Sequence, residues 1–200
     1  MSYIDIIKNR RSIYDLNDQL PVSEKVVVNT IKHVTVESPT AFNMQSSHLV
    51  ILMNEDHKKL WEIVTNTLKK QVEESKFAST QAKMDMFSKA KGTILFFDDR
   101  HVIDQLKKDF PLYQNQFDMF ADHSMGLLQG NIWNALAELK MGASLQHYNP
   151  LIDDEVKRQW EIPEYYRLTA QMVFGGIGSI PEPKEKMDAD DRVIVYSNNS

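Results

Sequence analysis

Two short segments of this chain concentrate groups able to grip an anion and an aromatic heterocycle. Arg10-Arg11-Ser12 places two guanidinium groups and a hydroxyl after an opening apolar stretch. The second segment, Ser38-Pro39-Thr40-Ala41-Phe42-Asn43-Met44-Gln45-Ser46-Ser47, adds hydroxyls, a proline and two carboxamides. Guanidinium groups form strong charge-assisted hydrogen bonds to phosphate. Hydroxyls suit a polyol, and a carboxamide offers donor and acceptor together, as the edge of a heteroaromatic ring requires. Pro39 steers Ser38 away from helical geometry, so the second segment should turn. Adjacent arginines point about 100° apart on a regular helix, so both reach one ligand only at a helix end. Taken alone, the Arg-Arg-Ser triplet fits a solvated basic helix end better than an anion site.

The elements that must position these groups are legible in the apolar spacing. Ile4, Ile6 and Ile7 make a short helix that ends in Lys8-Asn9-Arg10-Arg11, and positive charge suits a helix C-terminus. Ser23 is a candidate cap, Val22 and Val27 a candidate staple, and Val27, Ile31 and Val34 continue at helical spacing toward Pro39. The run 48–53 reads as a buried strand, with Asn54 capping a helix that carries Leu60, Trp61, Val64 and Leu68. Residues 71–88 suggest helical pieces without a strong core stripe. A second buried strand, 92–97, ends at Asp98-Asp99. The segment 109–122, with Phe110, Tyr113, Phe117 and Phe120, reads as a mobile cover or as packed surface. Met125, Leu128, Ile132, Leu136 and Leu139 predict a widely buried central helix. Residues 142–150 read as a turn, a short strand and a polar exit, while 168–174 and 193–196 are two further strand candidates. Irregularly alternating helices and strands indicate an α+β chain with a mixed, mainly antiparallel sheet flanked by helices.

Composition narrows the class. Two hundred residues with 42% hydrophobic content suit a single domain spanning 1–200 with a substantial core. A net charge of -5 argues against nucleic-acid binding through phosphate contacts, so any anion site is local. The absence of cysteine excludes disulfides, thiolate nucleophiles and zinc-thiolate sites. No basic-then-apolar leader and no apolar run near the roughly 20 residues of a membrane span are visible, which leads us to expect a cytoplasmic protein without membrane contact. Gly175-Gly176-Ile177-Gly178 is not a dinucleotide fingerprint, because Pro181 and Pro183 stand where its helix should begin. The histidines form no His-Glu-x-x-His pattern, and Asp98-Asp99-Arg100-His101 reads as a solvated loop, so no metal is expected.

Four blocks in order carry a family likeness that runs through nearly the whole chain: Arg10-Arg11-Ser12-Ile13-Tyr14, the segment 38–47, Glu55-Asp56-His57-Lys58-Lys59-Leu60-Trp61, and the segment 142–150. They resemble the nitroreductase family of FMN-dependent flavoproteins, closest to its short fatty-acid-repression-type branch. The resemblance implies a homodimer with flavin sites at the interface. It implies that Arg10, Arg11 and Ser12 approach the FMN phosphate and ribityl chain, with Lys186 (or Lys184 in its place) as a second phosphate contact. Ser38, Pro39, Thr40 and Asn43 would reach the cofactor across the subunit boundary, with Gln45 in the same lining. Leu145, Gln146 and His147 would line the isoalloxazine ring. Tyr14 stands where the wider family often has arginine, so that cationic contact does not carry over. The implied activity is a ping-pong cycle in which NAD(P)H reduces the flavin and a nitroaromatic, quinone or similar acceptor reoxidises it. No catalytic side chain is expected, because flavin N5 carries the chemistry. Two other readings are a flavin-binding sensor, carrier or storage protein with little turnover, and a structural dimer that has lost its flavin.

Overall fold

A strand of 12 residues, Tyr166–Ile177, buried along most of its length, is the element around which the others are arranged. The computed structural model describes residues 2–197. The elements are α1 (Tyr3–Asn9), β1 (Leu16–Asn17), α2 (Glu24–Glu37), β2 (Ser47–Met53), α3 (Asn54–Lys69), α4 (Glu74–Ser88), β3 (Gly92–Asp99), α5 (Arg100–Asp109), α6 (Phe117–Glu138), β4 (Gly142–Gln146), α7 (Asp153–Gln159) and β5 (Tyr166–Ile177). Short 3-10 turns occupy Ala41–Asn43 and Pro111–Tyr113.

β5 lies between β3 and β4, since Met172 faces Ile94 on one side and Leu145 on the other. β2 pairs outside β3, and β1 joins the end of β5 through Leu16 and Ile177. All of these ladders are antiparallel, and one parallel bridge links Ser12 to Ala143. The fold is therefore α+β with a mainly antiparallel sheet, as the sequence indicates.

Successive strand residues point to opposite faces, which divides the core in two. Leu95, Phe97 and Val173 pack with Leu60, Trp61, Val64, Phe87 and Val156 from α3, α4 and α7. Ile94, Phe96, Met172 and Phe174 pack with Val27 and Ile31 of α2 and with Met125, Leu128, Ile132 and Leu136 of α6. Because helices cover both faces, β3 is apolar without alternation over residues 94–97. The approach of β1 to β5 depends on Gly176, where an added Cβ would lie 2.0 Å from the Gln19 carbonyl oxygen.

Several expectations need correction. Asn54 does not cap α3; its φ is 54° and its side-chain oxygen accepts from Lys91 Nζ at 2.9 Å. Asp98-Asp99-Arg100-His101 is not a solvated loop. Asp98 is fully buried in β3 and pairs with Arg167 opposite it, while Asp99 caps α5 by accepting from the backbone of His101 and Val102. The run 193–196 is not a strand: it has the right composition, but no strand among the described residues pairs with it, and Val193, Ile194, Val195 and Tyr196 are exposed. Residues 71–88 hold one continuous helix, α4, whose buried face is only Met84 and Phe87. Ser23 caps α2 as expected.

His57 shows how the core handles a titratable group. It is buried, with Nδ1 2.9 Å from the Thr93 hydroxyl and Nε2 3.1 Å from the Phe87 carbonyl. Trp61 Nε1 donates to the same hydroxyl, which leaves that hydroxyl's own proton for His57 Nδ1. Nε2-H then donates to Phe87, and the ring is neutral. Burial pulls its pKa from 6.5 down to about 4. Below pH 6.5 the unfolded chain thus binds the proton more readily, so this contribution to stability is complete above 6.5 and is lost as pH falls toward 4. Between pH 7 and pH 4, urea denaturation should show the wild type losing about 3 kcal/mol more than His57→Gln. Parallel pH profiles for the two proteins would contradict this.

Candidate cofactor site

The opening helix stops where the arginines begin. A capping box between Ser2 and Asp5 starts α1, and Arg10 follows its last residue with extended dihedrals. The chain therefore leaves helical geometry at Arg10, and the 100° divergence expected for neighbours on a helix does not apply. The Arg10 guanidinium stacks over the Trp133 ring of α6, 4.6 Å from its centroid. Arg11 donates to the Glu182 carbonyl at 2.9 Å. Ser12 bridges to Ala143, and the Ile13 amide donates to the Ala143 carbonyl at 3.0 Å. A cleft of about 520 Å³ results, lined among others by Lys8, Arg10, Arg11, Trp133, Lys140 and Glu182. Partial burial, and then the charge of Arg11, hold the Arg10 pKa below its ordinary value. An anion between the two guanidinium groups would relieve that repulsion.

The segment 38–45 is built differently. Ser38 ends α2, donating to the Val34 carbonyl at 2.7 Å and accepting from Asn131 Nδ2 of α6 at 3.0 Å. Thr40 Oγ1 accepts from the Gln45 amide at 3.2 Å, and Ser124 Oγ accepts from the Ala41 amide at 3.3 Å. Phe42, Asn43 and Gln45 have φ of 55°, 51° and 48°. That left-handed region is unfavourable for residues with a side chain, most of all a bulky one. The Phe42 ring offsets the strain by packing against Phe110, Tyr113, Phe117 and Phe120 at centroid distances of 5.0 to 6.1 Å. The aromatic residues of 109–122 are therefore packed against the strained turn, Phe117 fully buried and Phe110 and Tyr113 exposed at its rim. Ser38, Pro39, Thr40, Asn43 and Gln45 line a second cavity of about 340 Å³.

The third group spans the end of β4, with Leu145 and Gln146 as its last two residues and His147 just beyond. Leu145 is half-buried, His147 is exposed, and Gln146 is only 7% exposed with its Nε2 lacking a hydrogen-bond partner. An unpartnered buried amide is costly, and Gln146 Nε2 shares that condition with Ser144 Oγ and Trp133 Nε1, among others.

Arg10 and Arg11 thus share one cleft, and Ser38, Pro39, Thr40, Asn43 and Gln45 share another; the two have no lining residue in common. Ser12 reaches the β4 end of the site through its bridge to Ala143. Lys186 lies in a groove of the C-terminal tail with Met187, Arg192 and Val193. From the preceding stretch, Pro181, Glu182 and Pro183 line the arginine cleft. Two residues were not singled out for the site by the sequence: Trp133, legible there only as packing on the central helix but carrying Arg10, and Gln171, buried in β5. Gln171 does leave a signal, as a lone amide in the apolar run 168–174.

The sequence model of the Nitroreductase family matches residues 7–176. The putative nitroreductase HBN1 of Saccharomyces cerevisiae is 36% identical over 195 residues, covering 96% of this chain and 97% of that protein. The nitroreductase CinD of Lactococcus lactis, solved with nicotinic acid, is 44% identical with a TM-score of 0.91, covering 98% of this chain and 100% of that one. The same enzyme has been solved with chloramphenicol and with 4-nitrophenol. At the level of fold alone, a nitroreductase with bound FMN from Desulfitobacterium hafniense superposes with a TM-score of 0.71 at 15% identity, over 98% of this chain and 100% of that one. The chain belongs to the nitroreductase family, a family of oxidoreductases.

The packing of Phe42 can be tested directly. Phe42→Ala keeps the left-handed backbone but loses the ring, and should destabilise the protein by about 1–2 kcal/mol. Phe42→Gly loses the same ring yet relieves the backbone, so it should recover up to about 1 kcal/mol relative to alanine. Thermal melting of the three proteins checks the order. Alanine matching or exceeding glycine in stability would remove the strain argument.

Proposed function

We propose that the chain is one FMN-binding domain of a cytoplasmic homodimeric oxidoreductase of the short nitroreductase branch. In this reading it uses NAD(P)H to reduce nitroaromatic, quinone or similar acceptors. The observation that carries the reading is the arginine pair: two neighbouring guanidinium groups, one partly buried, neither ion-paired among the described residues, facing a cleft large enough for a phosphate and its chain. A phosphate supplies the missing countercharge.

The rest of the donor set fits the same cofactor. Ser12, the Thr40 hydroxyl proton and the remaining lone pair of Ser38 Oγ suit the ribityl chain, and the unpartnered Gln146 Nε2 suits an acceptor on the ring edge. Lys186 is retained as the second phosphate contact, delivered by the exposed tail. A homodimer accounts for the division of the lining between two separate cavities, with the 38–45 wall of one protomer facing the arginine cleft of its partner. Exposed apolar residues such as Val36, Leu112, Leu127 and Val195 give such an association surface to bury. Among the described residues no helix is long and apolar enough to cross a membrane. Bound FMN would supply the redox chemistry that links NAD(P)H to the acceptor. The chain's own contribution is to neutralise the phosphate at Arg10 and Arg11, fix the ring through residues 145–147, and donate a hydrogen bond from Gln146 Nε2. The CinD complexes with nicotinic acid and 4-nitrophenol support small aromatic ligands as the class to test first.

The purified protein should be yellow, sediment as a dimer, and bleach anaerobically on addition of NADH or NADPH. Arg10→Ala and Arg11→Ala should each weaken FMN binding about tenfold or more, the loss of a charge-assisted bond. A colourless protein that rejects added FMN would defeat the reading. Bound FMN that never bleaches would instead favour a carrier or sensor.

A further inference from the structure

Gln171 is fully buried in β5, between Ala170 and Met172. A primary amide in that position must have both ends satisfied. They are: Oε1 accepts from the Tyr148 backbone amide at 2.8 Å, and Nε2 donates to Asn149 Oδ1 at 3.3 Å. Both partners lie just beyond the end of β4, on the far side of His147. Tyr148 is held a second time by its ring, which meets Trp61 edge-on at 5.7 Å. Its hydroxyl is sufficiently desolvated that its pKa rises to about 12.

Across the β4–β5 ladder, Gln171 stands directly opposite Gln146. Side chains opposed in this way lie about 5 Å apart at Cβ, and two glutamines could satisfy each other. Here Gln171 turns to Tyr148 and Asn149 instead, and Gln146 Nε2 stays buried without a partner. The strand end and the exit loop are thus fastened by one side chain, while the neighbouring amide is left available.

We infer that Gln171 is a positioning residue for the flavin site, holding residues 145–147 in register and keeping Gln146 Nε2 free to donate to the cofactor ring. The inference rests on the FMN reading proposed above. It adds a residue that touches no ligand and acts through the backbone of Tyr148 and the side chain of Asn149. Its loss should alter how the ring is held, while the protein still folds.

The test uses Gln171→Met, which removes both bonds, Asn149→Ala, which removes one, Gln146→Leu, and the double variant Gln171→Met/Gln146→Leu. FMN affinity is read by quenching of flavin fluorescence, the ring's surroundings by visible circular dichroism of the bound flavin, and integrity by melting of the FMN-free protein. Gln171→Met should bind FMN about tenfold more weakly, and Asn149→Ala about threefold. Both should change the visible dichroism. The double variant should lose less affinity than the product of its two single changes, since Gln171 acts through Gln146. Wild-type affinity and dichroism in Asn149→Ala and Gln171→Met would overturn the proposal, as would fully multiplicative losses. If Gln171→Met does not fold, unchanged FMN binding and dichroism in Asn149→Ala alone would overturn it. Failure of the wild type to bind FMN would instead sink the cofactor reading, and this inference with it.

Discussion

The two-sided pairing of β5 is the constraint on which the rest of the molecule depends. With β3 on one edge and β4 on the other, its backbone groups are satisfied by neighbouring strands, and its side chains enter the two halves of the core. The end of the same strand receives β1, which brings the chain from Arg10-Arg11-Ser12 against β4. The arginine cleft and the exit of β4 therefore share one scaffold. Their relative placement comes from ladder register, which is stiffer than any loop contact.

The 38–45 wall is held by a different balance. Three non-glycine residues with positive φ are tolerated because aromatic packing, a threonine hydroxyl and contacts from α6 over-determine the turn. Strain of this kind typically marks functional segments, and here it coincides with residues singled out by family likeness. Among the buried polar groups, both ring nitrogens of His57 and both ends of the Gln171 amide are hydrogen-bonded, whereas Gln146 Nε2 is one of several buried side-chain atoms, Asp98 Oδ1 and Ser144 Oγ among them, without a partner among the described residues.

Much of this was legible in the residues themselves. Apolar spacing located α2, α6, β2, β3 and β5, because those elements bury a continuous face and their periodicity is strong. Asn54 misled because a capping residue and a left-handed junction residue share the same chemistry; only the backbone separates them. Asp98 misled because its partner, Arg167, is distant in sequence and adjacent only through the β3–β5 register. β1 is two residues long and leaves no periodic trace, and α7, at 7 residues, buries only Val156 and so shows no apolar repeat. The run 193–196 has strand composition but no partner among the described residues, and composition alone cannot supply one. Family likeness singled out residues proposed for the site, but not Trp133 or Gln171, whose roles come from packing behind it.

Helix α6 touches both cavities, with Ser124 and Asn131 serving the 38–45 turn and Trp133 carrying Arg10. It therefore works as a ruler. Each residue advances about 1.5 Å and rotates about 100°, so the offset between the two walls is written in residue count. Substitutions along its outer face leave that measure intact. Gaining or losing a single residue between Ser124 and Trp133 would swing one wall away from its counterpart, so divergence in this helix is free to change composition but not length.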